Sequence, residues 1–404
     1  MVKTLCTLLD QLYEEMVDIR RELHANPELS FEEVETPRFI ADYHRKLGLD
    51  VRTGVGGRGV VAKLYGGKPG KTVALRADFD ALPIQEENDV PYRSKRDGVM
   101  HACGHDGHTA TLLCLAKALV QMKENIEGTI VFIHQHAEEV APGGAIAMIE
   151  DGCLDGVDVI FGTHLWATEP LGTILYRTGP FMAAADRFEI VVKGKGGHGA
   201  EPHLTKDAIA VACQIVAYLQ QIASRRIDSQ EAAVVSVCSF QAGNAFNVIP
   251  SEAELIGTVR TLNEEVRRFI EQEIGKIVKG ICLAADCEYE YRYIRGYPPV
   301  VNHPLETELI KNVAAELADV QKVVETKPKM GGEDFAYYLK HVKGAFFFTG
   351  AQSPEQLVAY PHHHPKFNID ERAMLIAAKV LGAAALTFQH FEQSKVVENN
   401  LSSR

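Results

Sequence analysis

Residues 128–139 read GTIVFIHQHAEE, and the first seven of them decide the fold class. GTIVFIH is apolar almost without a break and rich in β-branched and aromatic side chains. That is the pattern of a strand covered on both faces, not of one with a wet side. Residues 71–77 (KTVALRA) and 158–163 (DVIFGT) repeat it. A helix is predicted over 107–123, between the first two of these three strands, and another near 144–151, before the last. Helices alternating with buried strands predict an α/β unit, a mostly parallel sheet covered by helices. Weaker strands at 50–53 and 59–65 precede it, after an N-terminal helix that ends near Asn26-Pro27.

The rhythm changes near Ala183. Residues 186–193 (DRFEIVVK) alternate as a half-exposed strand does. A helix over 206–224, strands at 232–241 and 252–262, a charged helix over 264–285 and a strand at 288–294 follow. This β-α-β-β-α-β order is the ferredoxin-like signature. The expectation is an α/β protein with a mostly parallel-sheet catalytic domain, residues 1–182 and 298–404. An inserted ferredoxin-like α+β domain, residues 183–297, interrupts it, with Gly179-Pro180 and Tyr297-Pro298-Pro299 as hinges. A strand at 345–349 and a polar tail after Gln393 complete the chain.

At 404 residues the chain is long enough for two or three domains, and 46% hydrophobic with 24% charged residues is the balance of a soluble globular protein. No uninterrupted apolar run reaches the roughly 18 residues that span a bilayer. Asp10, Glu14, Glu15, Asp18, Arg20 and Arg21 punctuate the first helix, which reads as amphipathic and not as a secretion signal, so the expected location is the cytoplasm. A net charge of −12 argues against nucleic acid and against an anionic membrane as partner. Eight cysteines without framework spacing read as reduced and mostly buried, Cys114 and Cys213 by their apolar neighbours. Cys103 is the exception.

Metal-ligand residue types concentrate where predicted strands end, the edge at which open α/β sheets bind ligands. Asp78-Phe79-Asp80 follows KTVALRA; two carboxylates at i and i+2 can point the same way, although a turn or helix cap accounts for them as well. Residues 100–108, MHACGHDGH, hold three histidines, a cysteine and an aspartate, with Cys103 and His105 able to face one ion. After GTIVFIH come Glu138 and Glu139, which repel each other at the mouth of a buried strand unless a cation neutralises them. One can then bind metal while the other handles protons. His164 follows DVIFGT, and His362-His363-His364 precede Pro365. Together these groups suit two divalent ions with a water between them and a free glutamate beside it, the parts of a hydrolase.

Gly194 to Gly199 spell G-x-G-x-x-G after a strand, but that strand belongs to the inserted domain and no acidic residue follows at the ribose distance, so a dinucleotide site is not expected. A P-loop is excluded there, since no Gly-Lys-Ser/Thr follows these glycines. A cysteine hydrolase built on Cys103 is the more serious rival, and it leaves Glu138, Glu139 and His164 without a task.

In order and spacing, RADFDALP, MHACGHDGHTA, HQHAEE, GTHLW, KGKGGHGAEPH, NVIPSEAELIGTVRTL, GGEDFAYY and HHHPKFNID resemble the M20 metallopeptidase family. The resemblance runs from RRELHANPELSFEE at residue 20 to the C-terminal helix. It is nearest to the amidohydrolase subgroup of hippurate hydrolases, indole-acetyl-amino-acid hydrolases and N-acetyl-diaminopimelate deacetylases. It implies a binuclear amidohydrolase of N-acyl amino acids, with a dipeptidase as the alternative, and two zinc, manganese, cobalt or nickel ions per subunit. It implies metal ligands at Cys103, His105, Glu139, His164 and His363, Glu138 as general base, and Asp80 as the aspartate that steadies a ligand. The inserted domain would be a lid and dimerisation domain of a homodimer. His198 would stabilise the oxyanion of a partner subunit's site, and Asn247 and Arg260 would contact substrate. His136 stands where the family usually has proline, either as an added polar group or packed beside the rim.

Overall fold

Strand Glu127–Gln135 of the computed structural model is buried along nearly its whole length and lies in the middle of an eight-stranded sheet. The structure describes residues 1–355 and 358–401, with side chains through Gln389; the polar side chains after Gln393 lie outside the described residues. Across the sheet the strands run Asp50–Val55, Gly59–Tyr65, Glu127–Gln135, Lys68–Asp78, Val159–Pro170, Lys343–Gln352, Thr173–Tyr176 and Lys322–Glu325. The four central strands, from Glu127–Gln135 to Lys343–Gln352, are parallel to one another, as their continuous apolar runs require. Antiparallel pairs occur toward the edges. Register aligns Asp78 with Gln135, so the segments after them leave the sheet at its carboxyl end, whereas His164, expected at a strand end, lies within strand Val159–Pro170 opposite Phe348.

Helices His105–Val120 and Arg372–Leu401 pack in the core of this sheet's unit. By length and composition an 18-residue stretch of the second, Arg372–Gln389, could cross a membrane, but 78% of it is buried inside the protein. Lys379 within it is held by Asp10 and Asp319, each at 2.5 Å. This is a core helix.

Chain contacts separate two units: Met1–Gly179, Val301–Lys327 and Asp334–Arg404 form one, Pro180–Val300 with Pro328–Glu333 the other. The second unit contains a four-stranded antiparallel sheet in the order Ala233–Ala242, Glu252–Thr261, Ala184–Lys193, Glu288–Ile294, with helices Ala208–Gln221 and Glu264–Ala284 between its strands in sequence. That is the ferredoxin-like arrangement. Gly194–Gly199 does not open a helix: it contains the two-residue strand Gly197–His198, paired with Val248–Ile249, and helix Ala208–Gln221 starts only at Ala208, so the dinucleotide context is absent.

One helix escapes sequence reading, Glu35–Lys46, because its cap comes from outside it. The Glu28 carboxylate accepts the amides of Val34, Glu35 and Thr36 at 2.9–3.1 Å, which outweigh burial and hold its pKa below the ordinary range. The cysteine expectation needs correcting in part. All eight thiols are free, but Cys213 and Cys238 are exposed. Cys213 lies on the outward face of its helix with Ile209 and Tyr218, also exposed, so an apolar neighbourhood in sequence did not mean a core position.

Candidate metal centre

At Gly104 the chain takes a φ of 93°, a conformation open to glycine because it lacks a β-carbon. The kink begins helix His105–Val120 and leaves Cys103 and His105, both buried, on either side of it. The His105 Nδ1–H donates to Asp80, whose carbonyl and carboxylate oxygens lie 3.0 and 3.1 Å away, so Nε2 is the nitrogen left to face a ligand. His164 is fixed likewise: Nδ1–H donates to the Leu165 carbonyl at 2.9 Å, and Nε2 is 3.4 Å from Cys103 Sγ. A hydrogen bond on the far nitrogen that sets which ring nitrogen stays free is the usual arrangement of a ligating histidine.

The glutamate pair follows a left-handed Ala137, φ 53°, which for a residue with a β-carbon costs about 1–2 kcal/mol. Two carboxylates hold the turn, Glu33 Oε1 accepting from Ala137 N and Asp80 Oδ2 from Glu139 N, both at 2.9 Å. Donor atoms of His105, Glu138 and Glu139 then lie within 4.8 Å of one another, as do those of Cys103, His105 and His164, and those of Cys103, Glu139 and His363. The structure therefore gathers Cys103, His105, Glu138, Glu139, His164 and His363 in one place, with Asp80 behind His105.

Of the three C-terminal histidines, only His363 turns into this group. Its φ is 66°, its amide donates to Ala102 O at 2.8 Å, and its Nε2 is 3.3 Å from Glu139 Oε1. His362 Nε2 donates to the Leu165 carbonyl, and His364 stacks on Tyr360. His108 is spent at both nitrogens, on Asp78 at 2.6 Å and the Leu165 amide at 2.9 Å. His136 is buried with its ring 6.0 Å from Phe31 and joins no ligand group among the described residues, so it packs beside the rim.

Whether this group fits a metal is answered by two orphaned atoms. His105 Nε2 and Glu139 Oε1 are buried without hydrogen bonds, 3.8 Å apart. Two donors about 2.0–2.3 Å from one tetrahedral ion stand about 3.3–3.8 Å from each other, the spacing found here. The electrostatics agree. Burial lowers the His105 pKa, but Asp78, Asp80 and Glu139 outweigh it and push it up to about 10. Burial and then Glu139 and Glu138 drive the Cys103 thiol well above its ordinary value, while burial and neighbouring histidines keep His164 neutral. A Cys–His nucleophile needs the opposite, a thiolate beside an imidazolium. The cysteine-hydrolase alternative has no support in this geometry. A cation reverses the imbalance.

Sequence reading missed the scaffold behind the rim. Arg76 pairs with Asp78 at 2.5 Å and Asp334 at 2.9 Å, and Arg20 with Asp106 at 2.9 Å. Its one visible signal was the density of charge in RRELH and in GGED, within otherwise buried surroundings.

In the second unit, short strands bring His198 and Asn247 together: Val248 pairs with His198, and the Gly199 amide donates to Asn247 O at 2.8 Å. The exposed His198 ring accepts the Ala200 amide on Nδ1 at 3.0 Å, which leaves Nε2–H as a donor in the neutral ring. Arg260 lies on strand Glu252–Thr261, half-buried, bonded to Thr258 Oγ1 and the Val259 carbonyl.

The sequence profile of peptidase family M20/M25/M40 matches residues 74–387. The chain belongs to this family. M20 relatives resemble it over most of its length. The protein named amidohydrolase YhaA in Bacillus subtilis is 61% identical over 380 residues, 94% of this chain and 96% of its own. N-acyl-L-amino acid amidohydrolase of Geobacillus stearothermophilus is 51% identical over 301 residues, 73% of this chain and 80% of its own. The crystal structure of Bacillus subtilis YXEP, described as a dinuclear metal binding peptidase of family M20, superposes with a TM-score of 0.82 at 37% identity, covering 94% of this chain and 99% of that one. This M20 chain is a metal-dependent hydrolase of amide bonds.

Proposed function

We propose that the protein is a binuclear amidohydrolase that cleaves the amide bond of N-acyl amino acids. The observation that carries the reading is the orphaned pair His105 Nε2 and Glu139 Oε1, buried among Cys103, His164 and His363. These five residues are the ligands of two divalent ions, and their mixed N, O and S donors suit zinc, manganese, cobalt or nickel. Bound there, the ions acidify a water and polarise the scissile carbonyl. Glu138 accepts the water's proton and returns it to the departing amine, while Asp80 keeps His105 oriented.

Arg260 supports a carboxylate-bearing substrate. Among the described residues no carboxylate forms an ion pair with its guanidinium, and burial lowers its pKa despite the attraction of Asp186, a cost that an incoming carboxylate would offset. Asn247 contributes an exposed amide near His198. Residues 183–297 act as lid and dimerisation domain, and residues 1–182 with 298–404 as catalytic domain. In this homodimer His198 Nε2–H serves the oxyanion of the partner's site. The exposed apolar residues Ile209, Tyr218, Val234 and Phe240 support an interface on this domain. Free thiols and the acidic composition fit a cytoplasmic enzyme with no nucleic-acid or membrane partner.

A screen of N-acetyl, N-benzoyl and indole-acetyl amino acids against each metal tests the reaction. Hydrolysis of at least one class with free amino acid as product is expected, and cleavage of unblocked dipeptides alone would overturn the acyl assignment. Mixing Glu138→Gln with His198→Ala tests the dimer, because a heterodimer restores one complete site. No recovery after proven subunit exchange would remove His198 from action in trans.

A further inference from the structure

Residues 20–33, RRELHANPELSFEE, supply none of the proposed ligands and no base, yet the end of this segment is wired into the turn that carries both glutamates. Ser30 Oγ donates to Asp80 Oδ2 at 2.7 Å, and the same oxygen accepts the Glu139 amide. Phe31 sets its ring edge-on to His136. Glu33 is fully buried, its Oε1 accepts the Ala137 amide at 2.9 Å, and its backbone carbonyl is held by Arg58. Glu138 thus lies between two tethered amides. One tether is Asp80, already committed to His105. The other is Glu33, which touches no proposed ligand.

The Glu33 contact falls on the one residue of this turn whose backbone is disfavoured, Ala137 at φ 53°. An alanine released from its partner relaxes toward negative φ, and the side chain of the next residue swings with the peptide plane. Because the Asp80 tether holds residue 139 independently, the displaced group is Glu138.

We propose that Glu33 is a positioning residue for the general base: by accepting the Ala137 amide it holds the left-handed turn that aims Glu138, without a part in metal binding. The inference rests on the amidohydrolase reading given above. It separates three quantities that a merely structural residue would move together. In Glu33→Ala, kcat falls on the order of 10²-fold, the scale of a catalytic group misplaced by about 1 Å. KM and metal content stay near wild type. Glu33→Gln keeps an acceptor for the amide and recovers most of the loss. Glycine adopts positive φ without a tether. In an Ala137→Gly background the Glu33→Ala loss therefore shrinks.

The test is this double-mutant cycle, with kcat, KM and metal content measured on each variant, alongside hydrogen exchange of the peptide spanning residues 135–140. The expected result is a kcat loss in E33A that is rescued by E33Q and diminished in A137G. Amide exchange around residue 137 should be faster in E33A and near wild type in E33Q. Equal losses in E33A and E33Q, an undiminished loss in the A137G background, or unchanged exchange in E33A would overturn the proposal. The exchange arm needs no catalysis, so if wild-type protein hydrolyses no N-acyl amino acid, the functional reading fails while the tether is still judged.

Discussion

Two groups of buried charge lie in the first unit, and they are balanced in opposite ways. In the layer behind the rim, carboxylates meet cations the chain itself supplies. Arg20 reaches Asp106, Glu371 and Asn368, His24 bridges Asp106 and Glu86 at 2.7 and 3.1 Å, and Arg76 joins Asp78 to Asp334. At the rim, no arginine or lysine pairs with Asp80 or Glu139 among the described residues, and Glu139 Oε1 faces His105 Nε2 with no hydrogen bond. Asp80 is answered by His105, Ser30 and the Glu139 amide, whereas a chain that answers buried carboxylates a few residues away has left Glu139 Oε1 without a hydrogen bond. Burying unpaired charge is costly, so the difference marks the place where a cation from outside completes the fold.

The largest expected effect is on chemistry. Glu138→Gln should lower kcat by about 10²–10⁴-fold while the metals stay bound. Retention of metal in Glu139→Gln together with its loss in Glu138→Gln would exchange the two roles. The next effect is on stability and contrasts the layers directly. Arg20→Met leaves buried Asp106 with His24 but without its arginine, and should cost up to about 3–5 kcal/mol in urea unfolding, with or without chelator. Glu139→Gln in chelated protein loses only the longer contacts to His105 and His363, at 3.8 and 3.3 Å, and should cost much less. An equal loss in both variants would erase the contrast.

How far this contrast could be read from sequence differs between the layers. The groups gathered at the rim were legible because they are dense in short motifs: MHACGHDGH and HAEE announce themselves. The central strands were legible from continuous apolar runs, and the ferredoxin-like unit from its element order. The supporting layer was not, because its partners are far apart in sequence; Arg20 and Glu371 are 351 positions apart. Helix Glu35–Lys46 was missed because Glu28 caps it from outside, and the four-residue strands Thr173–Tyr176 and Lys322–Glu325 are too short to establish a period. Ala137 carries no signal at all, since nothing in its identity foretells a positive φ.

A smaller effect concerns substrate. Arg260→Gln should raise KM for N-acyl amino acids about 10–100-fold, the worth of one charged hydrogen bond, with little change for the corresponding carboxamides. Equal KM changes for both would remove Arg260 from carboxylate recognition. The smallest is a pH effect on a third buried pair, His44 and His134, whose Nε2 atoms are 2.9 Å apart. Burial lowers the His44 pKa to about 3, and that of His134 well below normal. The unfolded chain takes up protons near pH 6.5 and the folded one resists, so stability is full above that pH and declines as pH falls toward the folded value. With about 1.4 kcal/mol per pH unit for each ring, the slope should approach about 2.7 kcal/mol per pH unit. His44→Gln should flatten it in urea titrations between pH 7 and 4, and an unchanged slope would place the acid sensitivity elsewhere.

The central claim is that the unanswered charge at the rim belongs to metal, and one measurement reaches it directly. Protein dialysed against a strong chelator is assayed for amide hydrolysis, analysed for bound elements, and assayed again after adding Mn²⁺, Zn²⁺, Co²⁺ or Ni²⁺. The account predicts that activity vanishes with the metal, returns with at least one of these ions, and saturates near two per chain. Activity that survives complete metal removal, and then falls to iodoacetamide, would contradict it and return the chemistry to Cys103.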